Sequence, residues 1–242
     1  MSWDKWMSES SLTIGVLGGM GPAATVDLLQ RIIRLTPALD DVDHIRTLVD
    51  NNPQVPSRID YLIKQQGENP APVLASMAES LESMGADLLV MPCNTAHLYT
   101  QEIESAVRIQ FLNMVELTVE RVATQLQASK VGLLASTAIH QTKLYESIFA
   151  KKGVATIVPD DALQSRLMKL IMAIKAGDLS ESDLLQRIVE KMLAEQAECV
   201  VIACTELSAL GASLDVPVPV IDASQCLAEV AVQIALGGET YE

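Results

Sequence analysis

A chain of 242 residues, 49% apolar and 20% charged, has material for one large or two modest domains with proper cores. Its 31 acidic side chains outweigh 17 basic ones, for a formal net charge of −14, and no stretch reads as a basic stripe. Phosphate backbones and anionic bilayers recruit such stripes, so nucleic acid and membrane are excluded as partners.

Met1 to Ser11 carries charges and two tryptophans but no continuous apolar run, so it reads as a short N-terminal extension rather than a secretory signal. Four cysteines fit neither a disulfide framework nor a zinc pattern, which makes a reducing cytoplasm the expected location and a metal site unexpected. Thr13 to Pro22 reads as a buried strand entering a glycine turn, and Ala23 to Leu35 as the helix that follows. The glycines suit a tight turn or the approach of backbone N–H groups to an anion. Gly19, Gly21 and Ala24 meet the spacing of a dinucleotide fingerprint in form only, because no acidic residue closes a second strand about 20 residues on.

A second strand, His44 to Val49, ends in the polar loop Asp50-Asn51-Asn52-Pro53-Gln54-Val55-Pro56-Ser57-Arg58, the kind of strand-end loop where ligands gather in parallel sheets. Helices are expected at Ile59 to Gln65 and Pro72 to Met84. The strand Asp87 to Met91 then delivers Pro92-Cys93-Asn94-Thr95-Ala96-His97 and a helix to Val107. Further on come a helix from Met114 to Gln127, a strand from Lys130 to Leu134, and the polar turn Ala135-Ser136-Thr137. A helix from Ile139 to Lys151 and a strand from Val154 to Val158 follow. Gln164 to Lys175 and Ser182 to Gln196 read as helices, and Cys199 to Ala203 as a strand running into Cys204-Thr205-Glu206. A short strand, Val218 to Ile221, and a helix, Gln225 to Leu236, close the chain.

The order repeats. A strand–turn–helix opens each half at Ile14 and Val131, and nearly equal lengths of chain lead to Cys93 and Cys204. Alternating strands and helices predict an α/β fold of two similar doubly wound parallel-sheet lobes related by pseudo-symmetry, with the active site in the cleft between them. The first lobe is expected over 12–113 and 217–242, with the last strand and helix returning to it, and the second over 114–216.

Each cysteine is expected where a strand ends and a helix begins, a position that lowers a thiol's pKa. Two sulfurs, each about 3–3.5 Å from one carbon, could take a proton from one face and give one to the other, inverting the stereocentre. A single cysteine at a strand end is as readily a small buried hydrophobe. Matching motifs in both halves favour catalysis. Cys199 and Cys226 read as core, His97 as a hydrogen-bonded helix residue, and His44 and His140 carry no motif.

Gly15 to Pro22, Asn51 to Arg58, Met91 to His97 and Cys204-Thr205-Glu206 together resemble the cofactor-independent aspartate/glutamate racemase superfamily, most closely its aspartate racemase branch. The resemblance runs from about residue 12 to the end. It implies two catalytic cysteines, Cys93 and Cys204, no cofactor, a small dicarboxylic amino acid as substrate, and a homodimer. Asn94, Thr95 and Thr205 match groups that cradle the α-carboxylate, and Gly19 with Met20 the glycine-turn wall. Arg58 and Lys175 resemble the residues that bind the side-chain carboxylate; Asn52, Thr137 and Glu206 complete the candidate contacts. The glutamate branch has Asp-Ser in the glycine turn and His after the second Cys-Thr, where this chain has Gly19-Met20 and Glu206; the resemblance thus implies aspartate before glutamate, and some relatives accept both or other amino acids. A maleate-isomerase-like or hydantoin-racemase-like enzyme, and a non-catalytic amino-acid-binding protein, are the competing readings.

Overall fold

The computed structural model describes residues 11–178, 183–211 and 214–238. The expected N-terminal extension lies, apart from Ser11, outside the described residues, as does Ser182, the first residue of one expected helix. The chain divides into two compact units, Met1–Met114 with Leu227–Glu242, and Val115–Cys226.

In the first unit, β1 (Ile14–Gly18), β2 (Thr47–Asn51), β3 (Leu88–Val90) and β4 (Gln110–Phe111) form a sheet in the order β2-β1-β3-β4. Every pair is parallel. Both inner strands are fully buried, as their unbroken apolar runs require when helices cover both faces of a parallel sheet. The helices are α1 (Pro22–Leu35), α2 (Arg58–Leu62), α3 (Ala71–Ser83) and α4 (Thr100–Ala106). Helix α3 turns Leu74, Met77, Ala78 and Leu81, one stripe at helical spacing, into a core shared with Leu17, Leu89, Met91 and Cys93. Between Cys93 and α4 the chain takes a 3₁₀ path over Asn94–Tyr99, with Cys93 itself in extended conformation at its head.

The second unit contains β5 (Lys130–Ala135), β6 (Ala155–Ile157), β7 (Cys199–Ala203) and β8 (Val220–Asp222), parallel throughout and ordered β6-β5-β7-β8. This is the strand order of the first unit repeated. Helix α5 (Met114–Glu120) runs on as a π turn over Arg121–Gln125. The single helix expected after β5 is two, α6 (Thr137–Thr142) and α7 (Leu144–Lys151), because Lys143 adopts a left-handed conformation between them. Then come α8 (Asp161–Lys175), α9 (Asp183–Ala194), α10 (Thr205–Gly211) and α11 (Ala223–Ala235). Among the described residues, no helix is long and apolar enough to cross a membrane.

The side-chain period of two sorts β7 cleanly. Val200, Ile202 and Cys204 face the core built by α8 and α9, with Leu167, Leu170, Ile188 and Met192. Cys199, Val201 and Ala203 face the opposite core, with Tyr145 and Phe149. The closing strand departs from expectation. It pairs with β7 in the second sheet, through Val200–Val220 to Ile202–Asp222, instead of returning to the first lobe. It takes the side of β7 that β5 leaves open, and α11, from Leu227 on, belongs to the first unit.

The glycine turn after β1 is fixed by two contacts. Gly19 has φ +92° and lies so close to the backbone of Asn52 that a Cβ would overlap it, so no other residue fits. Thr25 is buried; its hydroxyl accepts the Gly19 N–H at 2.9 Å and donates to the Gly21 carbonyl at 3.3 Å. Thr25→Val keeps the shape but strands the buried Gly19 N–H, so urea unfolding should show a loss of about 1–3 kcal/mol. An unchanged midpoint would show that the hydroxyl does not hold the turn.

Candidate active site

In each sheet the chain leaves the first strand toward one edge and returns to place the third strand on the other side. Such a reversal opens a crevice at the carboxyl ends of the two inner strands. In the first unit those ends are the Gly18-Gly19-Met20 turn and Cys93. The loop after β2 closes over them. Arg58, the first residue of α2 behind the Ser57 cap, sends its guanidinium back into this group. Nη1 donates to the carbonyls of Val55 and Pro56 at 3.4 and 3.2 Å, and Nη2 to that of Met20 at 3.4 Å. Nη2 also lies 4.0 Å from Cys93 Sγ. The fifth donor, Nε–H, is buried and has no partner, and no carboxylate pairs with Arg58 among the described residues.

Asn52 is occupied by its own loop: Oδ1 accepts from the Gln54 N–H at 3.0 Å and Nδ2 points at Met77 Sδ, 3.9 Å away. It shapes the wall through its backbone against Gly19. Asn94 is buried, and Thr95 is half-buried with a hydroxyl that makes no hydrogen bond among the described residues.

His97 supports Cys93 from behind. Its Nε2 accepts the Met114 N–H at 3.1 Å, so Nδ1 carries the hydrogen and donates to the Cys93 carbonyl at 2.9 Å. Complete burial pushes its pKa down to about 4, so the ring is neutral at physiological pH. It anchors the Cys93 backbone and is the hydrogen-bonded residue that the motif suggested.

In the second unit the inner strands end at Ser136-Thr137 and Cys204, which follow the paired residues Ala135 and Ala203. The Cys204 thiol donates to Glu206 Oε2 at 3.1 Å, and the other oxygen, Oε1, pairs with Lys175 Nζ at 3.1 Å. Burial, and then the Glu206 carboxylate, push the Cys204 thiol well above its ordinary range, against a smaller lowering by the N–H groups of Leu207 and Glu206. The expectation that a helix start would lower this pKa is therefore corrected. Thr205 is half-buried, and its hydroxyl, like that of Thr95 in the first unit, makes no hydrogen bond among the described residues.

The structure thus brings Gly19, Met20, Asn52, Arg58 and Cys93 together in one unit, with Asn94 and Thr95 following, and Lys175, Cys204 and Glu206 in the other. Thr137, at the end of the neighbouring strand β5, is held by α8. Gln164 Nε2 donates to its hydroxyl at 3.3 Å and to the Ala135 carbonyl at 3.0 Å, and its backbone N–H faces Met168 Sδ at 3.3 Å. None of the four cysteines is in a disulfide, and among the described residues no group of three or more His, Cys, Asp or Glu side chains is placed to hold a metal ion.

Residues 17–231 match the family described as Asp/Glu/Hydantoin racemase. The chain belongs to that family. It is 29% identical over 228 residues to the broad specificity amino-acid racemase RacX of Bacillus subtilis (strain 168), across 92% of this chain and 98% of that protein. Its fold is similar to that of the Picrophilus torridus aspartate racemase, with a TM-score of 0.83, 28% identity, and 95% and 96% of the two chains covered. An aspartate racemase homologue from Pyrococcus horikoshii OT3 shares the fold at a TM-score of 0.77 and 21% identity, over 92% and 98% of the chains.

Sequence reasoning about this racemase-family chain passed over Gln164 and Met168. Their signal was present. Gln164, Met168, Ile171 and Lys175 form one helical stripe whose two ends are polar, the mark of a helix that meets polar strand ends at both extremities.

The His97 environment sets a pH dependence. Between the unfolded value near 6.5 and the folded value of about 4, the unfolded chain binds a proton that the folded chain does not, so stability present above pH 6.5 is lost as pH falls toward 4. His97→Gln should flatten the stability–pH curve over that window by about one proton. Parallel curves for variant and parent would show that His97 is not buried neutral.

Proposed function

We propose that the protein is a cofactor-independent amino-acid racemase acting on aspartate, with Cys93 and Cys204 transferring protons on opposite faces of Cα. The carrying observation is the repetition: two parallel sheets with one strand order, each ending its third strand in a buried thiol at the crevice its topology opens. One thiolate takes the α-proton, the carbanion forms, and the other thiol returns a proton from the far side. Thr95 and Thr205, half-buried with hydroxyls that make no hydrogen bond among the described residues, are the proposed donors to the α-carboxylate together with Asn94. Gly19, Met20 and Asn52 serve as the wall, and Thr137 as a further contact.

Arg58 is the proposed reader of the side-chain carboxylate. Its buried, unpartnered Nε–H is a donor suited to a carboxylate oxygen. Lys175, expected for the same task, is engaged by Glu206, and this favours a second reading in which the substrate range extends beyond dicarboxylates. The similarity to a broad specificity amino-acid racemase supports that extension. The homodimer belongs to this proposal as well, and sedimentation velocity tests it.

Single enantiomers of aspartate, glutamate and neutral amino acids, incubated in deuterated water without cofactor, should exchange the α-proton and lose optical rotation, aspartate fastest. Binding without exchange would make the protein a binding module, and interconversion of maleate and fumarate an isomerase of another kind. Cys93→Ala and Cys204→Ala should each lower racemisation by about 10²–10⁴ or more, the contribution of a positioned acid or base; full activity in either variant removes the two-base scheme. Arg58→Ala should lower kcat/KM for aspartate by about 10–100-fold, the loss of a charged hydrogen bond, and an unchanged value would take Arg58 out of the site.

A further inference from the structure

The two thiols occupy corresponding places in the repeat, yet charges of opposite sign stand beside them. Cys93 Sγ lies 4.0 Å from the Arg58 guanidinium, and Cys204 Sγ lies 3.1 Å from the Glu206 carboxylate. Access does not separate them, since each residue is 6% exposed. We propose that Glu206 is a positioning residue that holds Cys204 in its protonated form through the Sγ–H···Oε2 contact, so that Cys204 is the resting acid and Cys93 the resting base. This rests on the two-thiol reading above and adds a direction to it.

The carboxylate is well placed for the task because its two oxygens have different partners. Lys175, reaching from the end of α8, takes Oε1 and leaves Oε2 aimed at the sulfur. A Cys204 thiolate would set a second negative charge against that oxygen and forfeit the hydrogen bond. Asp222, at the end of β8, accepts from the Ser208 hydroxyl and the Ser224 N–H. The end of β5 contributes the uncharged Ser136 and Thr137, and Lys175 reaches the carboxylate from α8. Burial acts in the same direction on Cys204.

In a turnover that starts from this state, the Cys93 thiolate takes the proton from Cα. The Cα–H bond breaks with its electron pair left on carbon, and the Cys204 S–H proton then moves to the opposite face, leaving a Cys204 thiolate beside Glu206. That product form is the less favoured of the two and returns its proton inventory to the resting arrangement after release. The free enzyme is therefore poised for the enantiomer whose α-hydrogen faces Cys93.

Carbamidomethylation by iodoacetamide reports thiolate directly, cysteine by cysteine, when short exposures of the full-length protein are digested and read by mass spectrometry. Across pH 6 to 10, Cys93 should react at least about tenfold faster than Cys204, with Cys199 and Cys226, both 1% exposed, as unreactive internal references. Glu206→Gln keeps an acceptor oxygen and removes the charge; it should raise the Cys204 rate by about tenfold, shift its pH profile downward and leave Cys93 unchanged. Glu206→Asp should restore the slow Cys204 rate in part. Equal rates in the parent protein, or a Cys204 profile indifferent to Glu206→Gln with the Cys93 rate intact, would overturn the assignment. Racemisation followed on the same samples separates the two levels: exchange that persists with no thiol asymmetry refutes only the role of Glu206, whereas asymmetry without exchange of any amino acid refutes the racemase reading.

Discussion

A parallel sheet whose strand order doubles back has one place where neighbouring loops diverge, the carboxyl ends of its two inner strands, and every notable side chain in this chain is arranged around that constraint. The first unit meets it with a glycine turn after β1 and a cysteine after β3; the second with a polar turn after β5 and a cysteine after β7. The turn geometry is not interchangeable between them. Gly19 is pressed against the Asn52 backbone, and its N–H is already taken by Thr25, so this turn is a rigid wall. The counterpart in the second unit is held from outside, by Gln164 on α8.

A strand end running into a helix start does not by itself make a thiol acidic, as Cys204 shows. A helix start contributes about 0.3–1 kcal/mol to a nearby anion. Complete desolvation moves a pKa by as much as 3–5 units, several times more. At Cys204 the second effect is reinforced by a carboxylate in hydrogen-bond contact, and the N–H groups of α10 offset only part of it. What distinguishes the two sulfurs is which charged side chain the neighbouring loop or helix delivers: Arg58 from the loop after β2, or Glu206 from the first turn of α10, steadied by Lys175.

Most of this architecture was legible in the sequence. Apolar runs marked β1, β3, β5 and β7, and the repeat of their spacing fixed the doubled fold, because buried parallel strands tolerate few polar residues. The closing strand was misplaced, since a three-residue segment carries no signal of which sheet edge it will join; that depends on which side of β7 is open. The split at Lys143 and the 3₁₀ path after Cys93 are likewise set by backbone geometry, which helical periodicity does not record. At the candidate site, the cysteines and Arg58 could be read from strand ends and loops. The Glu206–Lys175 pair could not: the partners are 31 positions apart, and nothing in either motif says that they meet.

That pair changes the electrostatic argument about the substrate. Arg58 and Lys175 were the expected partners of a side-chain carboxylate, yet Glu206 pairs with Lys175. Arg58 remains, and four of its five N–H donors already point at three carbonyls and a sulfur. In the proposed reading, a substrate with a neutral side chain therefore strands no bare guanidinium. It leaves a single N–H, at Nε, unmet, a penalty of about 1–3 kcal/mol or roughly 10–100-fold. Sites that reject an analogue by 10⁴ or more leave several buried polar groups unpaired when it binds. If Arg58 reads the side chain as proposed, a preference for aspartate built on it is modest by construction, because the loop carbonyls already satisfy most of its donors.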